Sequence, residues 1–255
     1  MSGIEVLSPV RPLEFPEDWY DFSHLNHFWF RWRLQATARA LRDTAIPSDR
    51  PLRALDVGCG SGVFATQLEQ LTAWTVDGTD LNMTALERCR PRRGRTFYYD
   101  VSDERPELLG SYDVLVLFDI LEHLGQPRAL MKPALKHLKK GGAVLVNVPA
   151  LMRLKSAYDR AAGHLRRYTL RTLEDELAGL GLATRALRYW GLSLVPLLVA
   201  RKLVLTDDGA RAIERGFQPP SSAINAALLA MMRVETRLLP EPVLGTSVLY
   251  IGVKT

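Results

Sequence analysis

The residues with the clearest chemical purpose are Leu55-Asp56-Val57-Gly58-Cys59-Gly60-Ser61-Gly62. A short apolar strand ends in a carboxylate, glycines then alternate with small residues, and a helix-forming run from Phe64 to Glu69 follows. Alternating glycines let a backbone turn sharply and approach a ligand without Cβ clashes. The helix start behind them offers free N–H groups. This is a nucleotide-type cofactor site. A dinucleotide fingerprint would need glycine at position 63, where the chain has Val63. Asp56 beside the loop would repel a pyrophosphate but accept hydrogen bonds from an ammonium group. A cofactor with an amino-acid end and no phosphate fits better.

The loop resembles the first motif of the class I S-adenosylmethionine (SAM) methyltransferases, and the rest of the chain continues the resemblance. A second strand, Ala73 to Asp80, ends in an acid about 20 residues past the loop, where a carboxylate in a doubly wound sheet grips both ribose hydroxyls. Asp80 also suits the start of a helix at Leu81-Asn82-Met83. A third strand, Arg95 to Asp100, leads into Val101. The resemblance implies that Asp100 accepts from the adenine amine and Val101 covers the ring. A fourth strand, Tyr112 to Asp119, runs into Ile120-Leu121-Glu122-His123. A helix from Pro127 to Lys140 is expected to stop at Gly141-Gly142, before a fifth strand from Ala143 to Pro149. Apolar runs spaced by helices predict a parallel sheet buried on both faces. With Ala183–Trp190 and Gly245–Val253 the expectation is a seven-stranded, doubly wound Rossmann-like α/β sheet. The expected organisation is an N-terminal helical lid (1–50), a SAM-binding core (51–190), a helical insertion (191–244) and a closing strand (245–255).

Two regions outside the sheet carry the remaining chemistry. Asp18 to Arg33 is crowded with aromatics and histidines ahead of the first strand. It reads either as a core-packing helix or as a lid over the cofactor. A similar His-aromatic-aromatic-Phe-Arg segment opens a broad bacterial branch of the family. That resemblance implies that Arg31 pairs with the methionine carboxylate, for which its forked guanidinium is suited, and that Trp29 walls the site. His24 and His27 read as packing or lid residues. The expected cofactor set is therefore Asp56, Gly58, Gly60, Asp80, Leu81, Asp100, Val101, Phe118, Trp29 and Arg31.

The second region, Ser156 to Thr169, follows the fifth strand at the sheet end where open α/β folds bind ligands. The same branch carries a comparable Asp-x-x-x-Gly-His-x-Arg-Arg-Tyr block. A loop with Asp159, His164, Arg166, Arg167 and Tyr168 together has no hydrophobic reason to exist. His164 is the expected base, since histidine side chains change charge near neutral pH. Asp159 would orient it, with Tyr168 beside them. Arg166, Arg167 and His123 are expected to bind substrate, and Thr169 to cap a helix from Leu170 to Leu180. Asp119, Glu122 and His123 form a rival arrangement, because a related acidic-x-x-Glu-His pattern holds a divalent metal in some quinone O-methyltransferases. Leu-Glu-His is common without one, and no metal is expected.

Composition bounds the partners. The chain has 255 residues and a net charge of +5, and 26 of its 33 basic residues are arginine, scattered along the sequence. No basic-aromatic array of the nucleic-acid type is present, which disfavours a nucleic-acid substrate. An anionic small molecule, a glycan or a lipid-linked acceptor at a membrane surface suits the charge better. The apolar run Leu192–Ala200 is too short for a membrane span. The 191–244 helices read as a substrate cap, a homodimer interface or a membrane-surface foot. Two cysteines make no disulfide framework, and Cys59 reads as a small filler. With no signal-like start between Met1 and Glu14, the expected compartment is the cytoplasm. The expected activity is SAM-dependent O-methylation of a small molecule or glycan, yielding S-adenosylhomocysteine. The alternative is a SAM fold repurposed for binding or a methyl-independent rearrangement.

Overall fold

The structure, a computed structural model, describes residues 3–12, 25–204, 221–239 and 241–255. The aromatic stretch Asp18–His24 therefore lies outside the described residues, as does the middle of the insertion. In chain order the elements are β1 (Ile4–Val6), α1 (Phe28–Asp43), β2 (Arg53–Val57), α2 (Val63–Leu71), β3 (Thr75–Asp80), α3 (Met83–Glu87), β4 (Thr96–Tyr98) and β5 (Tyr112–Phe118). They continue with α4 (Pro127–His137), β6 (Leu138–Pro149), α5 (Ala157–Ala161), α6 (Leu170–Leu177), β7 (Leu182–Trp190), α7 (Val195–Val204), α8 (Ser222–Leu238) and β8 (Ser247–Lys254).

One sheet runs β1-β4-β3-β2-β5-β6-β8-β7. It is parallel from β1 to β6, and β8 lies antiparallel between β6 and β7. The chain leaves β2 toward β3 on one side and later returns to β5 on the other. That reversal opens a crevice beyond the carboxyl ends of the strands, the usual ligand position in an open α/β sheet.

Strand periodicity explains the two cores. Leu55 and Leu115 turn to one face with Val144 and Tyr250, where Met131 of α4 and Leu173 of α6 cover them. Ala54, Val114 and Leu145 turn to the other, under Trp32 and Leu41 of α1, Phe64 and Leu68 of α2 and Met232 of α8. Each such large apolar side chain contributes roughly 1.5–3 kcal/mol by leaving water. With helices on both faces, the central strands read as continuous apolar runs.

Three expectations change. The sheet has eight strands rather than seven, because Ile4–Val6 adds a parallel edge against Thr96–Tyr98. Three residues, mostly exposed, give no period to read. The same strand places Ile4–Val6, within segment 1–50, at the edge of the sheet. The helix from Pro127 ends at His137, not at the glycine pair. Leu138 already pairs with Tyr112, and the Gly141-Gly142 step falls in an irregular start to β6 before Ala143 pairs with Val114. The expected helix from Leu170 stops at Leu177, although Thr169 caps it as predicted, accepting from the Thr172 N–H at 3.1 Å.

The insertion folds back on the core. Asn225 of α8 accepts the Phe28 N–H at 2.9 Å and donates to the Asn26 carbonyl at 3.2 Å, helping to cap α1. Buried Glu235 accepts from the backbone N–H groups of Gly191, Leu192 and Ser193, at 2.9, 3.0 and 2.6 Å. A carboxylate there meets the orphan donors of the turn that opens α7. No described helix is long and apolar enough to cross a membrane.

Candidate active site

A cavity of about 880 Å³ occupies the crevice and is lined by both of the polar regions singled out in the sequence. That volume suits a ligand of cofactor size.

Its first end is built on strand termini. Asp56 is the fourth residue of β2, and the Gly58 and Cys59 N–H groups both donate to the Thr79 carbonyl of β3, at 2.8 and 3.0 Å. Gly58 has φ +72°, and a Cβ there would lie 2.5 Å from Ile120 Cδ1, so the turn requires glycine. Asp80 closes β3, with its carboxylate accepting from the Gly60 N–H at 2.8 Å and the Asn82 N–H at 2.9 Å. Asp56, Gly58, Gly60, Asp80, Leu81, Asp100, Val101, Phe118 and Trp29 all line the cavity. Asp56 is buried, and its Oδ2 has no hydrogen-bond partner among the described residues. Burial raises its pKa to about 7, against the pull of Arg33 and Arg92. Burial also raises Asp80, against its backbone donors.

The arginine at this end is Arg33, not Arg31. Arg33 lines the cavity, whereas Arg31 does not. The reason is helical phase. Residues four apart share a face, so Arg33 stands with Trp29, while Arg31 is turned away from both. The Arg33 guanidinium is ion-paired to Asp119 and lies over Trp29, Phe30, Phe64 and Phe118, at 4.7–5.5 Å from their ring centres. The Trp29–Arg33 spacing was the available signal. The first turns of α1 thus wall the cavity while Trp32, Ala40 and Leu41 enter the core.

The second end is built on loops. Asp159 sits at the third position of α5 and accepts from the Ser156 N–H at 2.8 Å, completing a capping box. Its other oxygen meets His164 Nδ1 at 3.0 Å and accepts from Arg167 Nε at 2.7 Å. Burial alone would raise the Asp159 pKa, but the hydrogen bond from His164 and the Arg167 charge outweigh it and hold it well below the usual carboxylate range. With Nδ1 engaged, Nε2 is the His164 nitrogen left for the cavity. The Leu165 N–H donates to the Glu122 carbonyl at 2.8 Å and so ties this loop to the end of β5.

Glu122 and His123 line the same end. Glu122 is 1% exposed, and neither carboxylate oxygen has a hydrogen-bond partner among the described residues. Burial, with nearby Asp119, raises its pKa well above the ordinary value. Burial and the neighbouring His164 lower His123 to about 4. Glu122, His123 and His164 each offer a donor atom within 4.8 Å of the others. Asp119, expected in such a group, is instead held by Arg33 and by Asn147 Nδ2, which donates at 2.7 Å.

Three residues expected in the site stand elsewhere or are already engaged. Arg167 reaches the cavity, but its donors go to Asp159 and to the Ala150 carbonyl, the latter at 3.0 Å. Arg166 is outside the lining, donating to the Gly125 carbonyl at 2.9 Å. Tyr168 is 2% exposed and also outside it, with its hydroxyl donating to the Leu121 carbonyl at 3.3 Å. An arginine or tyrosine in a polar loop satisfies backbone carbonyls as readily as a ligand. Leu194, Leu197 and Leu198, absent from the expected set, add apolar lining to the cavity. Only their position just after Ala183–Trp190 hinted at it.

Comparison with known proteins agrees with this architecture. The chain is 26% identical over 144 residues to the mitochondrial ubiquinone biosynthesis O-methyltransferase of Schizosaccharomyces pombe, covering 52% of each chain. It is 32% identical over 147 residues to the ubiquinone biosynthesis O-methyltransferase of Burkholderia vietnamiensis, covering 51% of this chain and 61% of that one. The chain thus spans less than two thirds of either relative. Among solved structures, phosphoethanolamine N-methyltransferase 2 of Haemonchus contortus, in complex with S-adenosyl-L-methionine, superposes with a TM-score of 0.54 at 17% identity. That match covers 86% of this chain and 52% of that one, and it speaks for the fold alone. Residues 23–187 match the family model for a methyltransferase domain, and the chain belongs to that family.

Proposed function

We propose that the protein is a SAM-dependent methyltransferase acting on the oxygen of a small-molecule or glycan acceptor, with His164 as the base. The carrying observation is that one cavity joins Asp56 and the glycine turn to an Asp159-held histidine. The relatives' O-methyltransferase names support the choice of oxygen.

The residues fit the cofactor. The unpartnered Asp56 Oδ2 suits an ammonium group, Asp80 suits vicinal hydroxyls, and Gly58, at φ +72°, holds a turn that other residues rarely adopt. Asp100 and Val101 would take the base, and Arg33 with Trp29 would border the methionine end. Bound SAM supplies a methyl group already activated on sulfonium. What remains for the protein is to hold a nucleophile in line and to remove a proton. His164 takes the acceptor's proton, and ionised Asp159 holds the ring and stabilises the imidazolium, as a carboxylate does in a catalytic triad. Leu194, Leu197 and Leu198 would offer the acceptor apolar surface.

A test pairs methyl-labelled SAM with panels of hydroxylated small molecules and glycans. Label recovered as an O-methyl product supports the proposal. Label found only on nitrogen or carbon, or none transferred by protein that binds SAM, overturns it.

One observation favours a second reading. Glu122, His123 and His164 together have the donor set of a two-histidine, one-carboxylate divalent-metal site, with Asp159 as the carboxylate behind one histidine. These residues would hold the ion, which would polarise an acceptor hydroxyl there. Activity lost on chelation and restored by a divalent ion would replace the base reading with this one.

A further inference from the structure

Cys59 and Cys89 meet beneath the glycine turn. Cys59 lies within the turn, and Cys89 lies two residues past the end of α3. Both thiols approach the same acceptor, the Gly60 carbonyl, at 3.6 and 3.5 Å. Both are free and part-exposed, and Cys59 lines the cavity.

Arg92 completes the cluster. Its Nε donates to the Val76 carbonyl at 3.1 Å and its Nη2 to the Arg95 carbonyl at 3.0 Å. Its Nη1 is buried with no acceptor among the described residues. A Cβ placed on Gly62 would lie 2.9 Å from that Nη1 and 3.1 Å from Cys89 Sγ, so the orphan donor and the thiol flank one point. A Cβ on Gly78 would lie 2.6 Å from Arg92 Nη2 and 2.9 Å from Cys59 Sγ. A buried N–H without an acceptor is costly, and a thiolate at Cys89 would satisfy it. A hydrogen bond from Cys59 and the charge of Arg92 lower the Cys89 thiol to about 7, against burial and Asp80. Cys59 is raised, chiefly by the same hydrogen bond and by burial. The two sulfurs are thus unequal. One is suited to attack and the other to resolve.

We propose that Cys89 is an oxidant-reactive thiol and Cys59 its resolving partner, forming a reversible disulfide that closes the cofactor loop. The oxidant is a peroxide. The Cys89 thiolate attacks one peroxide oxygen, the O–O bond breaks, and hydroxide leaves from the other oxygen, giving a sulfenic acid at Cys89. The Cys59 sulfur then attacks the Cys89 sulfur and the S–O bond breaks. The departing hydroxide takes the Cys59 proton as water. Peroxide is reduced by two electrons and the thiol pair is oxidised by two. A dithiol reductant reverses the step. The bond would tether Cys59, whose N–H donates to the Thr79 carbonyl, to Cys89 and so constrain the adjoining Gly58 and Gly60. The effect on cofactor affinity rests on the proposed SAM site, but the disulfide itself does not.

The test uses the full chain, reduced and then treated with hydrogen peroxide. Peptide mapping should find Cys59 joined to Cys89, with two free thiols lost and both recovered on dithiothreitol. Reduced Cys89→Ser should lose the fast iodoacetamide reaction at neutral pH, and S-adenosylhomocysteine should slow that reaction in the parent. The oxidised parent should bind S-adenosylhomocysteine at least about tenfold more weakly, whereas peroxide should leave the affinity of Cys89→Ser unchanged. Two thiols surviving peroxide, or oxidation ending at a sulfinic acid without cross-linking, would overturn the proposal. So would an oxidised parent that binds as tightly as the reduced one. Reduced, folded parent that binds no S-adenosylhomocysteine would instead defeat the cofactor site, leaving the cross-link to be judged by mapping alone.

Discussion

The two ends of the cavity are built by different means. Asp56, Gly58 and Asp80 stand at or beside the ends of β2 and β3, where the sheet register fixes their backbone. His164 stands on a loop, held by Asp159, and Glu122 stands in the short 3-10 turn Leu121–His123, tied to that loop by a single backbone bond. The first end is therefore set by the core, and substitutions there should act on cofactor affinity with the sheet intact. The second depends on the buried Asp159 pairing with two partners. Removing one member of a buried, hydrogen-bonded charge group costs about 3–5 kcal/mol. Such a centre tolerates change at His164, which is on its cavity side, better than change at Asp159.

The sharpest separation of the two ends is His164→Ala. Turnover should fall about 10²–10⁴-fold, the usual contribution of a general base, with S-adenosylhomocysteine affinity nearly unchanged. Stopped-time assays with labelled SAM, read beside calorimetry, check this. An equal loss of affinity would merge the two ends into one.

At the cofactor end, Asp80→Ala should weaken binding by a few kcal/mol at most, the scale of a lost charged hydrogen-bond pair, without a loss of secondary structure. Binding that survives unchanged would move the ribose elsewhere.

A smaller effect comes from pH. Asp56 carries a pKa of about 7 in the folded protein, raised by burial, so an ammonium ligand binds the ionised form that prevails above that pH. Affinity for S-adenosylhomocysteine should drop about tenfold between pH 8 and pH 6, one decade per unit below the pKa. The stability sign is opposite. A raised carboxyl pKa makes the folded state hold a proton that the unfolded chain releases. The contribution is then full below the unfolded value of 3.8 and is lost as pH rises to about 7. Asp56→Asn should flatten both profiles.

Smaller still is the contrast between two arginines of α1. Arg33→Ala should weaken cofactor binding and move the Asp56 midpoint upward, since Arg33 lowers that pKa. Arg31→Ala should leave affinity within about threefold, as for a surface change away from the site. The reverse ranking would return the carboxylate clamp to Arg31.

These contrasts also mark what the sequence discloses. The first end was legible because strand ends, glycine turns and the interval to the next acid are local and periodic. The second was legible as a list of residue types but not as an arrangement. Nothing local says that Arg167 is spent on Asp159 and Ala150, that Arg166 faces Gly125, or that Tyr168 is buried against Leu121. The choice between Arg31 and Arg33 needed only helical phase from Trp29. The edge strand Ile4–Val6 was not legible, because its three residues take their structure from β4 rather than from their own pattern.

In the proposed function, the strand-built end alone holds the cofactor. Calorimetric titration of S-adenosylhomocysteine into the folded parent, Asp80→Ala and His164→Ala at pH 8 tests it most directly. The parent and His164→Ala should bind with similar affinity, and Asp80→Ala more weakly. A folded parent that gives no binding heat and no competition with labelled SAM, or a His164→Ala protein that loses affinity as far as Asp80→Ala does, would contradict it.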